Sequence, residues 1–298
     1  MRSRDHIPVI DSHIHLFPAS ETSSLSWYTN DHPLAGQHSV DQYRVATTSE
    51  LSLVGFIFVE TDRKNDLKSG ELDGSGWRGR RNELAWIKRI ALGRCYETVP
   101  PQGSRSSRIG VVKDTFIENM KLLGRCGFTF DVCIDLHRRG QQQIKDLVTF
   151  AKLTRDNVPE NKKVVLVLDH LCKPDMSDST SVSGVAFMTW RAAMDELGQD
   201  EHNYIKFSGG FSEMGDSVND LSTNDISKAL EKWFRVLLEA FGPRRIMFGS
   251  DWPVCTISMS NAWSRWRDVA VQLCQESRLT SEEQGMIFSG TAKQAYNL

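Results

Sequence analysis

An apolar run near the start of the chain, Val9-Ile10-Asp11-Ser12-His13-Ile14-His15-Leu16-Phe17, carries two histidines one residue apart. Side chains at positions i and i+2 of a β-strand point to the same face, so His13 and His15 are predicted to point the same way. A His-x-His pair is weak evidence by itself, because the spacing arises easily by chance. Here the pair stands at the C-terminal end of a predicted first strand, which makes it a candidate site.

A second apolar strand ends in a polar side chain near the other end of the chain. It lies in the segment Arg245-Ile246-Met247-Phe248-Gly249-Ser250-Asp251-Trp252-Pro253, and the polar residue is a carboxylate. If the first and last strands are neighbours in a closed barrel, His13, His15 and Asp251 meet at one mouth of that barrel. The prediction of a functional site depends on this pairing.

Strands alternate with helices between these two segments. Further strands are predicted at 54–61, 128–135, 164–168 and 204–210, helices at 39–49, 82–92, 115–126, 141–155, 187–197, 226–241, 261–274 and 281–295, and an exposed loop at 66–81. The alternation predicts parallel βαβ units, so we expect an α/β fold in which residues 1–298 form a single TIM-like (β/α) barrel domain. An open doubly wound sheet is the alternative. No glycine-rich phosphate loop follows the first strand, which argues against a nucleotide-binding sheet.

Composition and charge restrict the classes of partner. The length of 298 residues accommodates one barrel domain of about 250 residues or two smaller domains. The 36 Lys and Arg residues nearly balance the 38 Asp and Glu residues, so neither nucleic acid nor a membrane surface is an expected partner. We find no apolar signal segment, no bilayer-spanning stretch and no Cys-x-x-Cys pair, and therefore expect a cytoplasmic protein with free thiols. A small-molecule substrate is expected, and the oligomeric state is open.

Polar residues recur at the C-terminal ends of the predicted strands, where (β/α) barrels carry their active sites. These residues are His13, His15, Glu60, His137, His170, Ser208 and Asp251. A single histidine there is often structural, and for His170 alone the two readings are about equally expected. Several imidazoles together suit metal binding or hydrogen bonding to a carbonyl oxygen, and a nearby carboxylate accepts a proton from water. Glu60 either contacts substrate or, as we slightly favour, pairs with a nearby Arg or Lys.

The remaining polar candidates carry less information. Lys173 has Asp175 as a nearby partner in the sequence, and Lys206 lies inside a strand where it faces either the barrel interior or the helix layer. Cys172 and Cys255 have no base at a spacing that marks a nucleophile, so we interpret both as packing residues. Trp252 is expected to shape the turn and the wall beside Asp251.

Four segments together resemble the amidohydrolase superfamily in their order and spacing. They are Ile10-Asp11-Ser12-His13-Ile14-His15, Leu168-Asp169-His170-Leu171-Cys172-Lys173-Pro174, Lys206-Phe207-Ser208-Gly209 and Phe248-Gly249-Ser250-Asp251-Trp252-Pro253-Val254. More narrowly, the chain is similar to a branch of predicted metal-dependent hydrolases. That branch includes sugar-acid lactonases, among them fungal L-rhamnono-gamma-lactonases, and the pyrone-dicarboxylate lactonase.

The resemblance implies a distorted (β/α)8 barrel in which Asp251 activates the hydrolytic water. His13, His15 and His170 would polarise a lactone carbonyl, directly or through a metal. Related branches bind zinc at the His-x-His pair and the last-strand aspartate, here His13, His15 and Asp251, whereas the pyrone-dicarboxylate branch works without metal. No lysine stands where a carboxylated bridging ligand is needed, so one divalent ion and metal-free catalysis both stay open. The predicted substrate pocket is lined by His137, Lys173, Trp252 and Glu60.

One interval departs from the family pattern. Family members carry two more strand–helix units between a helix ending near Gly93 and a helix starting near Thr115, and the second of those strands presents an arginine to the substrate. Only residues 94–114 fill this interval here, which is too short for two such units. We count six strands rather than eight, and therefore expect a barrel that lacks one or two strand–helix units.

Three hypotheses of function follow. The leading one is a hydrolase of carbohydrate metabolism that opens the lactone of a small sugar acid, such as L-rhamnono-lactone, or a related carboxylated ring. A metal-dependent decarboxylase of an aromatic or dienoic acid is the second. The third is a catalytically impaired family member that only binds ligand, and the short interval after Gly93 favours it.

Overall fold

The computed structural model of the protein describes residues 7–48, 52–65, 75–91, 114–177, 184–257 and 259–298. The chain divides into two compact units. The first consists of Met1–Ile14, Thr47–Ile57 and Ile109–Leu298, and the second of His15–Ala46 and Phe58–Arg108. That the whole chain is one domain stays a prediction.

Six strands are present in the described part of the chain, as predicted. They are β1 (Val9–Ile14), β2 (Leu53–Phe58), β3 (Thr129–Val132), β4 (Val165–Leu168), β5 (Asn203–Phe207) and β6 (Ile246–Phe248). β1 pairs with β2, and the other four form a parallel sheet in the order β3-β4-β5-β6. A parallel bridge between Ile14 and Trp252 joins β1 to the segment after β6. Of the interval predicted to lack strand–helix units, residues 94–113 lie outside the described residues.

The strands of the four-stranded sheet are apolar and buried because helices cover them. β4 reads Val-Leu-Val-Leu, and its last three residues are buried, as expected for a parallel strand packed on both faces. On one face, Val167, Tyr204 and Met247 pack against Ala292 and Ala295 of the last helix. One hydrophobic cluster of this unit therefore lies between the strands and the last helix, and on the other side Phe207 of β5 packs against Phe234 and Trp266.

Ten α-helices lie in the described residues. They are α1 (Val40–Ala46), α2 (Arg78–Ala91), α3 (Asp114–Arg125), α4 (Leu136–Arg139), α5 (Gln142–Arg155), α6 (Val185–Leu197), α7 (Thr223–Phe241), α8 (Ala262–Glu276), α9 (Ser281–Gly285) and α10 (Thr291–Tyr296), with a π-helical turn at Met286–Gly290 between the last two. No helix of the described ranges is long and apolar enough to cross a membrane.

Three helices begin earlier than predicted: α2 by four residues, α6 by two and α7 by three. α2 begins at Arg78 rather than at residue 82, so it includes Gly79 and Arg80, which we had placed in a loop. Arg80 is buried there and pairs with Glu60. α9 is capped by Thr280, whose hydroxyl accepts from the Glu283 N–H while the Glu283 carboxylate accepts from the Thr280 N–H. With Thr280 as the N-cap, α9 begins at Ser281, as predicted.

The second unit, taken by itself, is organised around the buried arginine Arg63. Its Nη1 lies 2.7 Å from Oε2 of Glu21, and its Nε lies 3.4 Å from Oε1 of Glu83 in α2. The same Glu83 oxygen accepts the backbone N–H of Thr61 at 3.1 Å. These bonds tie the 3₁₀ turn Ala19–Ser24 and the chain after β2 to α2.

Candidate active site

The carboxylate of Asp11 in β1 is hydrogen-bonded to the segment after β6. Its Oδ1 accepts the Ser250 N–H at 2.8 Å, and its Oδ2 accepts the indole N–H of Trp263 at 2.7 Å. The Asp251 N–H also donates to the His13 carbonyl at 2.9 Å. Gly249 allows this approach, because a Cβ on it would stand 3.0 Å from the Cβ of His13. His13 and Asp251 are thereby brought side by side, as the sequence predicted.

The His13 ring is buried between three charged side chains. Its Nδ1 lies 3.2 Å from Oδ1 of Asp169 and 3.2 Å from Nζ of Lys206. Its Nε2 lies 3.7 Å from Oδ1 of Asp251. Burial, then the positive charge of Lys206, hold the pKa of His13 well below its ordinary value, and Asp169 only partly opposes them. The ring is therefore neutral at pH 7.

His170 reaches the same carboxylate from a turn after β4. Its Nε2 lies 3.8 Å from Oδ1 of Asp251, its Nδ1 lies 2.9 Å from Oγ of Ser208, and its ring centroid is 4.2 Å from that of His13. The four residues from His170 to Lys173 all have a positive φ, a backbone conformation that residues other than glycine rarely adopt. Burial lowers the pKa of His170 to about 4, against the opposing charge of Asp251. His170 is thus a second neutral imidazole.

Gly209 makes room for this ring. Its φ is +67°, and a Cβ on it would lie 2.6 Å from Nδ1 of His170. Asp251 also has a positive φ, of 63°. Such backbone strain clusters at functional sites, where the surrounding structure holds it in place. The convergence of two neutral imidazoles on one carboxylate, at the ends of β1, β4 and β6, is the central feature of the site.

A largely buried group of charged and polar side chains lies next to Nδ1 of His13, and we call it the Lys206 cluster. It consists of Lys206, Asp131, Asp169 and Tyr296. Nζ of Lys206 lies 2.6 Å from Oδ2 of Asp131 and 3.0 Å from Oδ1 of Asp169, and the Tyr296 hydroxyl donates to Asp131 at 2.7 Å. Burial opposes the charged forms, yet the two carboxylates raise the pKa of Lys206 well above its ordinary value. Burial alone would raise the pKa of Asp169, but Lys206 and His13 hold that pKa below its ordinary value.

Sequence reasoning missed the Lys206 cluster. It left Lys206 facing either the barrel interior or the helix layer, and it gave Asp169 and Asp131 no role. The signal was available in β5, because Lys206 and Ser208 are two residues apart and share a face. Since Ser208 was assigned to the site, Lys206 had to point to the same side of the sheet.

The predicted pocket residues His137 and Lys173 lie in a second polar group of the same unit. Nδ1 of His137 lies 2.9 Å from Oε2 of Glu213, and Nη1 of Arg138 is 3.0 Å from the same carboxylate. The N–H of His137 donates to the Lys173 carbonyl at 2.8 Å. Burial lowers the pKa of Lys173, but nearby acidic groups, including Asp251, raise it overall. The pair expected from the sequence, Lys173 with Asp175, is replaced by a contact of 3.5 Å between Nε2 of His137 and Asp175.

His15 and Glu60 belong to the second unit. Nδ1 of His15 lies 2.6 Å from the Glu60 carbonyl and 3.3 Å from the Val59 carbonyl. A backbone carbonyl can only accept a hydrogen bond, so Nδ1 of His15 carries the proton and Nε2 carries the lone pair. The Glu60 carboxylate pairs with Arg80, which is the alternative that we favoured; its contact with substrate stays a prediction.

Trp252 and the two nearby cysteines are buried. The backbone N–H of Trp252 donates to Oγ of Ser250 at 3.1 Å, which fixes the turn beside Asp251. Burial raises the pKa of the Cys172 and Cys255 thiols well above their ordinary value. Neither thiol has the lowered pKa that marks a nucleophilic cysteine, in agreement with their interpretation as packing residues.

The donor set fits a divalent metal. Zinc in hydrolases is bound by imidazole nitrogens and a carboxylate oxygen, with a water in the remaining position. His13, His170 and Asp251 offer two neutral imidazoles and one carboxylate within the first unit, and His15 offers a lone pair on Nε2. The buried Lys206 is already held by two carboxylates and is not a bridging ligand.

Comparison with known proteins identifies the class. The model of the amidohydrolase family matches residues 114–298, more than half of the chain, so this chain belongs to the amidohydrolase family and is a hydrolase. The L-rhamnono-gamma-lactonase of Scheffersomyces stipitis is 27% identical over 343 residues, covering 97% of this chain and 98% of the relative. The L-fucono-1,5-lactonase of Burkholderia multivorans is 38% identical over 135 residues, covering 45% of this chain and 43% of the relative.

Solved structures agree on the fold. An amidohydrolase from Burkholderia multivorans with bound zinc has a TM-score of 0.70 at 25% identity, covering 98% of this chain and 99% of that one. An amidohydrolase from Bifidobacterium longum subsp. infantis has a TM-score of 0.62 at 18% identity, covering 98% and 99%. The predicted α/β fold of the TIM-barrel type is therefore confirmed.

The alignment with the L-rhamnono-gamma-lactonase of Scheffersomyces stipitis spans 343 positions, whereas this chain has 298 residues. At least 45 positions of that alignment therefore have no counterpart in this chain.

Proposed function

We propose that this hydrolase opens the lactone ring of a small sugar acid, as an enzyme of carbohydrate metabolism. One observation carries the proposal: Nε2 of His13 and Nε2 of His170 lie 3.7 Å and 3.8 Å from the same oxygen of Asp251. Two neutral imidazoles and a carboxylate around one small space suit attack of water on a carbonyl carbon. The names of the curated relatives support a sugar lactone as the substrate class.

In this proposal Asp251 is the general base. It takes a proton from water as the water oxygen bonds to the lactone carbonyl carbon. The ring bond between that carbon and the alkoxy oxygen then breaks, and the alkoxy oxygen takes up a proton to give the open hydroxy acid. An ester needs less help to its leaving group than an amide does, so one carboxylate is sufficient for both proton transfers.

The two histidines of the first unit take different parts. Ser208 would donate its hydroxyl proton to Nδ1 of His170, so that Nε2 of His170 carries a proton and donates to the developing oxyanion. His13 would present a lone pair on Nε2 instead, since its Nδ1 faces the Asp169 carboxylate. His137, Lys173 and Trp252 are proposed to line the substrate pocket.

A divalent ion, most simply zinc, is proposed as the cofactor, with His13, His15 and Asp251 as its ligands. The His-x-His spacing, the Nδ1 bonds of both histidines and the zinc in a solved relative support this proposal. Such an ion would polarise the carbonyl and lower the pKa of its bound water. Metal-free hydrolysis by the same residues is the alternative.

The test is a panel of aldonic-acid lactones incubated with purified protein, with ring opening followed by acid release in a pH-stat. Asp251→Asn keeps the shape of the side chain and removes the base, and is expected to lower kcat by about 10²–10⁴-fold. Asp200→Asn, at the opposite end of the sheet, is the matched control and should keep wild-type activity. Ring opening by Asp251→Asn at the wild-type rate would refute the assigned role.

The same preparation separates the other hypotheses. Release of carbon dioxide from aromatic or dienoic acids without lactone opening would indicate a decarboxylase. Thermal stabilisation by sugar acids with no turnover of either class would indicate a member that only binds ligand. Metal analysis, followed by chelation and return of zinc, decides between the zinc and the metal-free forms of the proposal.

A further inference from the structure

Lys206 is fully buried, and its surroundings need an explanation. An ammonium group is tolerated away from water only when it is paired and its protons are hydrogen-bonded. Nζ meets this need through Asp131 at 2.6 Å and Asp169 at 3.0 Å. Apolar residues often stabilise a core at least as well as a buried ion pair does. A lysine at this position of β5 therefore indicates a task beyond packing.

The task is visible at Nδ1 of His13. This nitrogen lies 3.2 Å from Oδ1 of Asp169 and 3.2 Å from Nζ of Lys206. A neutral imidazole carries one proton, so only two arrangements are available. Either Nδ1–H donates to Asp169 and Nε2 keeps a lone pair, or Nδ1 accepts from Lys206 and Nε2 carries the proton.

The distances favour the first arrangement. Lys206 has two carboxylate oxygens nearer than the imidazole, at 2.6 Å and 3.0 Å, and charge-assisted hydrogen bonds to carboxylates are the stronger ones. Asp169 can only accept, and its Oδ1 stands next to both nitrogens. The Tyr296 hydroxyl fixes the far carboxylate by donating to the Asp131 oxygens at 2.7 Å and 2.8 Å. Lys206 and Asp169 thus form a fixed acceptor for the His13 proton.

We propose that Lys206 is a positioning residue, which holds Oδ1 of Asp169 so that His13 keeps its proton on Nδ1 and turns the Nε2 lone pair towards Asp251. This proposal rests on the proposed function, because it gives Nε2 of His13 the part of an acceptor or metal ligand. Lys206 itself acts only through Asp169 and does not touch the reacting atoms.

The main test variant is Lys206→Met combined with Asp131→Asn. Lys206→Met alone leaves two buried carboxylates without a countercharge and is expected to lower stability. The double variant removes one positive and one negative charge, so the balance of the cluster is kept while Asp169 loses its partner. Asp131→Asn alone is the reference for the double variant, and Lys206→Arg keeps the charge and the N–H donors.

The deciding readout is the tautomer of His13, from ¹⁵N chemical shifts of its ring assigned with His13→Gln. Wild-type protein should show a protonated Nδ1, and the double variant a shift towards a protonated Nε2. Zinc affinity by titration calorimetry and kcat should each fall by about 10–100-fold in the double variant, the usual effect of losing a partner behind a metal ligand. KM should change little, and Lys206→Arg should restore most of the loss.

An unchanged His13 tautomer in the folded double variant overturns the proposal. Arg155→Met, which breaks a partly buried ion pair at the other end of the sheet, is the matched control: it should lower stability and leave the His13 tautomer, zinc affinity and kcat unchanged. If the wild-type protein opens no lactone, the proposed function fails, but the ¹⁵N shifts still decide the part of Lys206.

Discussion

The four-stranded sheet carries charged groups at both of its ends, partly buried at the N-terminal end and more deeply buried at the C-terminal end, and the two groups are built differently. At the N-terminal end, Arg155 pairs with Asp200 at 2.8 Å and donates to the Asn203 side chain at 2.8 Å. Arg245 donates to the Gly198 carbonyl at 2.7 Å and to the Asp200 carbonyl at 2.9 Å. At the C-terminal end, the Lys206 cluster sets two carboxylates around one ammonium.

The charged side chains at the two ends of the sheet serve different purposes. Arg155 and Arg245 hold backbone and side-chain acceptors that belong to helix ends and strand starts, so their bonds fasten elements together. The Lys206 cluster instead shares an oxygen of Asp169 with the His13 ring, so its bonds orient a group that faces Asp251. Changes at the N-terminal end should therefore affect stability, and changes at the C-terminal end should affect activity.

The largest contrast is expected from the same substitution at both ends. Asp169→Asn replaces the acceptor of the His13 proton with an amide, and kcat for lactone opening should fall by about 10–100-fold in a folded protein. Asp200→Asn should leave kcat within about twofold, because it contacts no site residue, and should lower the melting temperature instead. Steady-state kinetics and thermal melts of both variants check this pair. Equal activity of the two variants would contradict the division of labour.

Two glycines offer the next test. Gly209→Ala places a methyl group 2.6 Å from Nδ1 of His170 at a φ of +67°, so it should displace the ring, with a backbone strain of about 1–3 kcal/mol. Gly198→Ala, at the other end, meets the backbone of Ala240 and should lower stability without changing KM or kcat of the surviving protein. Activity per folded molecule, with the folded fraction taken from circular dichroism, separates the two. A fully active Gly209→Ala variant would mean that the position of His170 is not critical.

Arg245→Met should have a smaller and purely structural effect. The variant removes the Arg245 donors from the Gly198 and Asp200 carbonyls, although the Asn203 N–H still donates to Asp200, and should lower the free energy of unfolding by about 2 kcal/mol. Urea unfolding measures the loss, and kcat/KM should be unchanged. Loss of activity in the native variant would show that the two ends are coupled.

The smallest expected effect is a pH dependence at the N-terminal end. Burial alone would raise the pKa of Asp200, but the His202 N–H and Arg155 hold it below the ordinary value. A lowered folded-state pKa stabilises the protein above the unfolded-state pKa, about 3.9 for Asp, and this contribution is lost as pH falls through the folded-state value. Melting temperatures between about pH 3 and 7 should therefore fall less steeply in Asp200→Asn than in wild type. Parallel curves would contradict this.

The sequence predicted the elements of the first unit well where its signals were local. The uninterrupted apolar run of β4 and the polar residue after β6 identified two strand ends, and with them His170 and Asp251. It failed where three-dimensional partners decide the outcome. The alternation of side chains along β5 puts Lys206 on the same face as Ser208, but nothing in the sequence shows that Asp131 and Asp169 lie beside it. The start of α2 was also missed, because Gly79 and Arg80 continue the glycine-rich, charged composition of the loop before it.

The last helix supplies the hydroxyl that steadies Asp131, from a residue 165 positions further along the chain. A contact of such sequence separation forms only after most of the intervening chain is ordered, because closing a long loop is entropically unfavourable. The Lys206 cluster should therefore be among the last parts of the molecule to form during folding. A refolding time course should then show native helix content well before turnover begins.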